Sequence, residues 1–242
     1  MEEHKNLVRL YVPDADFSAG AACALAEGQA HYLRNVMRKS AGDALRVFNG
    51  RDGDWRATLA EISKNKAFIK LNYLISEYKP GPDIRVLASP VKKDAFDLMI
   101  EKSCELGAAA FVPVICARTV VHKVNQERAQ AIAVEAAEQC ERGDVMTIAP
   151  AVDLKKYLNS GECDRNIIFC IERREAPPLI EVAKPLAGKP LAILIGPEGG
   201  FSPEEIEFIT KIKNIRAASL GPRILRAETA LIAALSVAQL LS

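Results

Sequence analysis

The segment Leu191–Glu205, LAILIGPEGGFSPEE, is the part of this chain that decides its fold. Its first five residues, Leu191–Ile195, are all apolar, which predicts a strand covered on both faces. The loop Gly196–Gly200 holds three glycines, which permit backbone angles and a close ligand approach that a Cβ atom would prevent. Ser202–Glu205, SPEE, has the pattern of an N-cap, a first-turn proline and a capping box. Strand, glycine loop and helix start together predict a ligand crevice at the carboxyl end of a sheet.

The glycine loop lacks the features of the common phosphate-binding loops. It has no lysine of the GxxxxGK[ST] type, and its glycine spacing is not GxGxxG. Its carboxylate, Glu198, would repel a polyphosphate, so a neutral or cationic ligand such as a sulfonium fits better. The alternative is a tight strand-to-helix turn that binds nothing.

A second segment, Ala217–Gln239, repeats this arrangement with the sequence AASLGPRILRAETALIAALSVAQ. It predicts a strand over Ala217–Leu220, a turn at Gly221 and a long helix from Ala227. We expect the ends of two adjacent strands, each followed by a glycine turn, to enclose one ligand. The last helix is apolar almost all round, which predicts burial on most faces, either within its own fold or at a subunit interface.

Composition limits the class of protein but does not identify it. The chain has 242 residues, of which 49% are hydrophobic, enough for one large or two smaller folded domains. Its 32 basic and 31 acidic residues give a net charge of +1, so the global charge gives no argument for a nucleic-acid partner.

Cysteine spacing and hydropathy indicate a cytoplasmic protein. The six cysteines, Cys163 among them, form no CxxC pair and no zinc spacing, which predicts reduced thiols and no metal site. No apolar run reaches the ~20 residues needed to span a bilayer, and the acidic N-terminus, MEEHKNLVRLY, is unlike a signal peptide. We therefore expect neither a membrane segment nor secretion.

Pro80, Gly81 and Pro82 interrupt the chain and predict two domains, 1–79 and 80–242. The first domain is predicted to be a small β-barrel, because short strand-like runs alternate with turn signals. These runs are Val8–Val12, Ala44–Phe48, Trp55–Ile62 and Ala67–Leu71. A helix is predicted at His31–Lys39, with Leu33, Val36 and Met37 on its apolar face and His31, Arg34, Asn35 and Arg38 on the other. On residue pattern alone, that polar face is an ordinary solvated surface.

The second domain alternates strands and helices, which predicts an α/β fold with a mostly parallel sheet and helices on both faces. The predicted strands are Ile84–Ala88, Phe111–Val114, Ile167–Ile171, Leu191–Ile195 and Ala217–Leu220. Helices are predicted from Asp94 to Gly107, from the cap Asn125 to about Arg142, from Ser202, and from Ala227.

The paired segments IGPEGGFSPEE and LGPRILRAETA closely resemble the RsmE-type family of SPOUT RNA methyltransferases. Further matches are HYLRNVMR (31–38), KKDAFDLMIEKSCELGAAAFVPV (92–114) and RAQAIAVEAAEQCER (128–142), so the resemblance covers essentially the whole chain. The chain departs from the usual family pattern at Glu141, where glycine is usual, and near Met146, where proline is usual.

The resemblance implies a fold and an activity that residue spacing does not reveal. The second domain is expected to be SPOUT-type with a C-terminal trefoil knot, and the first to be a PUA-like domain that grips RNA. The activity implied is S-adenosylmethionine-dependent methylation of uridine N3 in small-subunit ribosomal RNA, on the assembled or nearly assembled subunit. The enzyme is expected to act as a homodimer.

Site residues follow from the matched motifs. The expected cofactor contacts are Ile195, Gly196, Pro197, Glu198, Gly199, Gly200, Leu220, Gly221, Ile224 and Leu225. The expected catalytic residues are Arg226, Arg223 and Glu138, and the expected RNA contacts are His31, Arg34, Arg38 and Arg142.

Several alternatives stay open at this point. Arg226 and Arg223 could instead form structural ion pairs with Glu228 and Glu198, and Glu138 with Arg142 could be a surface pair of small energetic value. Two other functions are a different α/β enzyme with a nucleotide cofactor and an RNA-binding module that has lost catalysis.

Overall fold

The structure, a computed structural model, describes residues 4, 6–161 and 164–242. It contains two compact units, one comprising residues up to Pro80 with 137–145, and one comprising 81–136 with 146–242. The sequence-based division gave residues 137–145 to the second domain, whereas they lie in the first unit. Cys163 and most of the acidic N-terminus lie outside the described residues. The other five cysteines are free thiols.

The first unit is built on one mixed sheet of five strands in the order β1-β3-β4-β5-β2. The strands are β1 (Arg9–Tyr11), β2 (Ala22–Leu25), β3 (Ala44–Phe48), β4 (Asp54–Ile62) and β5 (Ala67–Ser76). β1 pairs with β3 in parallel, and the other neighbours are antiparallel. The four predicted runs are strands, but β2 was missed because four alternately exposed and buried residues give too short a pattern.

The predicted helix His31–Lys39 is wrong in both extent and face. A short helix, α1 (Glu27–His31), runs into a π-helical turn at Tyr32–Val36. A π-turn adds a residue per turn and so rotates the following side chains away from the 3.6-residue period. Of the predicted apolar face only Leu33 is buried, while Val36 is 60% exposed. His31 and its neighbouring arginines are exposed.

The second unit contains a parallel sheet in the order β12-β10-β11-β6-β7-β8, with β9 also paired to β7. Its strands are β6 (Ile84–Ala88), β7 (Ala110–Ile115), β8 (Thr147–Ile148), β9 (Val152–Asp153), β10 (Asn166–Cys170), β11 (Leu191–Ile195) and β12 (Ile215–Ala218). The helices are α2 (Lys93–Glu105), α3 (Gln126–Gln139), α4 (Leu154–Asn159), α5 (Leu179–Ala183), α6 (Pro203–Thr210) and α7 (Ala227–Leu240). The predicted mostly parallel sheet is confirmed.

Helices cover both faces of the central strand β11, all of whose residues are buried. Ala192 and Leu194 pack in one cluster with Tyr157 of α4 and Ile209 of α6. Because successive residues of a strand point to opposite faces, Ile193 lies on the other face, where α7 packs against β11. The prediction of a strand covered on both sides is therefore confirmed.

The two glycine loops do not follow adjacent strands, which corrects the prediction. β10 lies between β11 and β12 in the sheet, paired in parallel with both. β12 also begins two residues earlier than predicted, at Ile215. A third loop, the one that follows β10, therefore lies between the two glycine loops. The trefoil knot stays a prediction, since strand order and pairing do not determine threading.

Candidate functional site

The start of α6 is fixed by a capping box, as the sequence predicted. The Ser202 hydroxyl oxygen accepts a hydrogen bond from the Glu205 N–H at 3.2 Å, and Glu205 Oε2 accepts one from the Ser202 N–H at 2.8 Å. Glu205 Oε1 also accepts a hydrogen bond from the N–H of Ala117 at 2.7 Å. Glu205 is only 3% exposed, so its carboxylate is buried. One buried carboxylate thus holds the start of α6 against the loop that follows β7.

The loop Gly196–Gly200 turns tightly between β11 and α6. The Gly200 N–H donates to the Pro197 carbonyl at 2.8 Å, and Gly200 has a φ of +67°, which favours glycine. Gly196 lies against the ring of Phe201, which packs edge-on against Phe169 at 4.9 Å. The hydrogen bond, the positive φ and the contact with Phe201 therefore restrict the backbone conformation of this loop.

Arg118, from the loop after β7, also contacts the glycine loop Gly196–Gly200. Its Nη1 donates a hydrogen bond to the Gly199 carbonyl at 3.0 Å. Sequence reasoning missed this arginine, because it comes from a segment about 80 positions away that carries no motif. Long-range backbone contacts of this kind are not encoded in local spacing.

The second loop, Ser219–Arg226, leads from β12 to α7. Gly221 has a φ of +104°, and its N–H donates to the Ser219 hydroxyl oxygen at 3.2 Å. The N–H groups of Leu220, Ile224 and Leu225 make no hydrogen bond to any residue that the structure describes. Three backbone donors on one loop are therefore available to a ligand.

Both loops line one large cavity of about 1760 Å³, together with the loop after β10 and the start of α2. All ten expected cofactor contacts line it, and so do Arg223 and Arg226. The structure thus brings together the residues that the sequence placed on two separate turns. The segment Ile171–Ala176, after β10, also lines it and was not predicted.

Residues 78–239, more than half of the chain, match the model of a family described as an RNA methyltransferase domain. The chain belongs to this family of RNA methyltransferases. Residues 25–72 match an RNA methyltransferase PUA domain, which confirms the PUA-like first domain.

Individual relatives support the same family. Ribosomal RNA small subunit methyltransferase E from Rickettsia conorii is 32% identical over 212 residues, 87% of this chain and 86% of its own. Its namesake from Bacillus subtilis is 32% identical over 86% of both chains. The crystal structure of a protein of this name from Neisseria gonorrhoeae, bound to S-adenosyl methionine, has a TM-score of 0.88 at 27% identity, covering 98% of both chains. The RsmE-type resemblance is confirmed.

Five expected site residues of this RNA methyltransferase lie in the first unit and do not line the cavity. Glu138 Oε1 accepts the N–H of Tyr11 at 2.8 Å. Arg142 donates from Nε to Asp144 at 2.8 Å. The other three, His31, Arg34 and Arg38, are exposed. The catalytic role expected of Glu138 stays a prediction.

Two thiols of the methyltransferase unit, Cys170 in the cavity wall and Cys116 near Glu205, have raised pKa values. Burial raises the pKa of the Cys170 thiol to about 12, and burial, with the nearby Glu205 charge, does the same for Cys116. Within the described ranges, no group of three or more His, Cys, Asp and Glu side chains could hold a metal ion, and no helix is long and apolar enough to cross a membrane.

Glu205→Gln is expected to lower the free energy of unfolding by about 1–3 kcal/mol, because a buried N–H loses its acceptor. The carboxylate accepts one backbone N–H on each oxygen, whereas an amide has one acceptor oxygen and would set an NH₂ group against the other donor. Urea unfolding measures the change. The matched control is Glu204→Gln, whose side chain is exposed and should give no measurable change; equal effects in the two variants would contradict the role of Glu205.

Proposed function

We propose that this protein transfers the methyl group of S-adenosylmethionine to N3 of a uridine in small-subunit ribosomal RNA, on the assembled or nearly assembled subunit. The observation that carries the proposal is the cavity in which both glycine loops meet. It belongs to a chain that is similar over 98% of its length to a ribosomal RNA methyltransferase bound to S-adenosyl methionine.

The residues of the cavity fit this cofactor. Three backbone N–H groups, of Leu220, Ile224 and Leu225, are available to polar atoms of an adenine or a methionine moiety. Glu198 lies exposed on the other loop, where a carboxylate favours a sulfonium over a polyphosphate. When bound, S-adenosylmethionine supplies a methyl group on a positively charged sulfur.

Arg226 is the residue we propose to stabilise the uridine as its N3 proton passes to a carboxylate or a water molecule and N3 takes up the methyl group. The negative charge that forms spreads over O2, N3 and O4, and fixed charged donors lower its cost. Arg226 is exposed on the cavity wall at the N-cap of α7, with Arg223 on the same loop. Neither arginine forms an ion pair with any described residue, so the alternative pairs with Glu228 and Glu198 do not form.

In the first unit, we propose that His31, Arg34, Arg38 and Arg142 contact RNA phosphates. The first three are exposed around the π-turn, and phosphate contacts of this kind position a substrate without reading its sequence.

We also propose a homodimer. α7 keeps apolar residues such as Ile232 and Val237 half-buried, and Leu240 is 80% exposed. A partner subunit would cover that surface.

Calorimetric titration with S-adenosylmethionine, with ATP and NAD as controls, is the direct test of the proposed function. We expect binding of S-adenosylmethionine alone, followed by N3-methylated uridine in small-subunit ribosomal RNA incubated with protein and cofactor. Absence of cofactor binding, with and without RNA, would instead favour a module that binds RNA without catalysis.

Arg226→Ala is expected to lower kcat for RNA methylation at least tenfold, with the Kd for S-adenosylmethionine within twofold of the parent. The reason is that the guanidinium stabilises charge that develops only during methyl transfer. Single-turnover methylation and calorimetry separate the two quantities. The matched control is Arg216→Ala, an exposed arginine on β12 that lies outside the cavity lining. A variant at Arg226 that methylates at the parent rate would refute this role.

A further inference from the structure

The cavity wall of the second unit carries an excess of unpaired cations. Seven basic side chains line it, against five acidic ones, although the whole chain is nearly neutral. The seven are Lys92, Lys93, Arg118, Arg173, Arg174, Arg223 and Arg226. None of them forms an ion pair with a residue that the structure describes, whereas Arg128 and Arg165 of the same unit each pair with an aspartate at 2.6 Å. The five acidic side chains form no ion pair with a described residue either, so the lining has an excess of two positive charges, which suits an anionic ligand.

The cofactor does not account for this charge. S-adenosylmethionine has a sulfonium, an ammonium and one carboxylate, so its net charge is positive, and at most one cation is needed for its carboxylate. The cavity, at about 1760 Å³, also exceeds the roughly 300–1000 Å³ that encloses a small ligand. Space and positive charge therefore both remain for a second, polyanionic ligand.

Arg173 is the cation whose position is most informative. It lies on the loop after β10 and has a φ of +56°, in the left-handed region that costs a non-glycine residue about 1 kcal/mol or more. Glycine would adopt this backbone at lower cost. Its neighbour Arg174 is also exposed on the cavity wall, and the loop places both between the two glycine loops.

We propose that Arg173 and Arg174, with Lys92 and Lys93 at the start of α2, hold a backbone phosphate of the RNA substrate at the mouth of the cavity. This inference rests on the proposed function. The four residues would position the RNA substrate and take no part in the methyl transfer itself. The methyltransferase unit then has a phosphate contact of its own, separate from those proposed for the first unit. Glu172 and Glu175, which flank the two arginines, would repel phosphates, so we expect the arginines and not the whole loop to contact the RNA backbone.

The test uses Arg173→Gly, because glycine keeps the left-handed backbone and removes only the side chain. Binding of a fluorescent fragment of small-subunit ribosomal RNA is measured by anisotropy over a range of salt concentrations. We expect Arg173→Gly with Arg174→Ala to weaken RNA binding at least fivefold. The slope of log K against log[salt] should become shallower by about 0.7 for each phosphate that the variant no longer binds. Arg173→Lys should retain most of the affinity, and Arg216→Ala, outside the cavity, should match the parent.

The outcomes separate this inference from the proposed function. Unchanged RNA affinity and salt slope in Arg173→Gly would overturn the inference, even if the parent protein methylates ribosomal RNA. A raised Kd for S-adenosylmethionine with unchanged RNA binding would also overturn it, since the arginine would then serve the cofactor carboxylate. If the parent neither binds cofactor nor methylates, but Arg173→Gly has a lower RNA affinity and a shallower salt slope, the phosphate site stands and the proposed function fails.

Discussion

Gly196→Ala is expected to raise the Kd for S-adenosylmethionine at least a hundredfold, to the point where calorimetry detects no binding. An ideal Cβ at this position would lie 2.5 Å from Cε2 of Phe201 and 2.9 Å from its Cδ2. The ring cannot easily yield, because Phe201 is 9% exposed and packs edge-on against Phe169, which is fully buried. Either the ring or the loop must move, and the loop forms one wall of the cavity.

Gly199→Ala is the matched control in the same loop. Its Cβ would lie 3.4 Å from Cβ of Arg118, near the limit of ordinary contact, and its backbone does not need a positive φ. We expect its Kd within about threefold of the parent, with a similar melting temperature. Adding Phe201→Leu to Gly196→Ala should recover part of the binding, because the smaller side chain leaves room for the new methyl group. Binding by Gly196→Ala within tenfold of the parent would disprove the steric argument.

The start of α6 could be predicted from sequence because its interactions are local. Ser202 and Glu205 bond to each other within one turn, so their spacing contains the information that the cap needs. The cap of α3 is similar, since Asn125 Oδ1 accepts the N–H of Arg128 at 2.9 Å. The glycine turns could be predicted for the same reason, because a positive φ, as at Gly221, is a requirement of the local backbone.

The arrangement of the cavity could not be predicted in this way. Insertion of β10 between β11 and β12 depends on pairing between segments more than 20 residues apart, and no local pattern specifies which strands become neighbours. The loop after β10 was therefore not predicted to line the site, and neither was Arg173. Arg118 was missed for the same reason, since its partner is a backbone carbonyl 81 positions away.

Glu141 replaces the glycine that is usual at this position, and the structure gives a physical reason for the difference. Its φ of +61° explains why glycine is usual at this position in the resembling family. The side chain in this chain accepts a hydrogen bond from Arg46 Nη1 at 2.8 Å, and Arg46 is largely buried. The backbone strain at Glu141 is thus offset by its hydrogen bond to the buried Arg46 guanidinium. This interaction joins residues 95 positions apart, so the local sequence does not predict it.

Arg9→Ala is expected to lower the free energy of unfolding by about 3–5 kcal/mol, the cost of breaking a buried ion pair by removing one partner. Arg9 is 6% exposed and donates to the Asp54 carboxylate at 2.8 Å. It also donates to the carbonyls of Ala137 at 2.9 Å and Arg142 at 2.8 Å, and its guanidinium lies 3.6 Å from the centre of the Phe48 ring. The change would leave two carbonyls without this donor and Asp54 with Arg46 as its remaining cation.

Arg51→Ala is the control, because this arginine makes the same kinds of bond in solvent. It donates to the Asp16 carboxylate at 2.8 Å and to the carbonyls of Pro13 and Ala15, but its side chain is 47% exposed. Water can replace these bonds, so we expect a decrease of about 1 kcal/mol or less. Urea unfolding followed by far-UV circular dichroism gives both values. Equal decreases would contradict the expected cost of breaking the buried ion pair. A decrease several-fold larger for Arg9→Ala would support a stabilising role of the buried Arg9 guanidinium in the first unit.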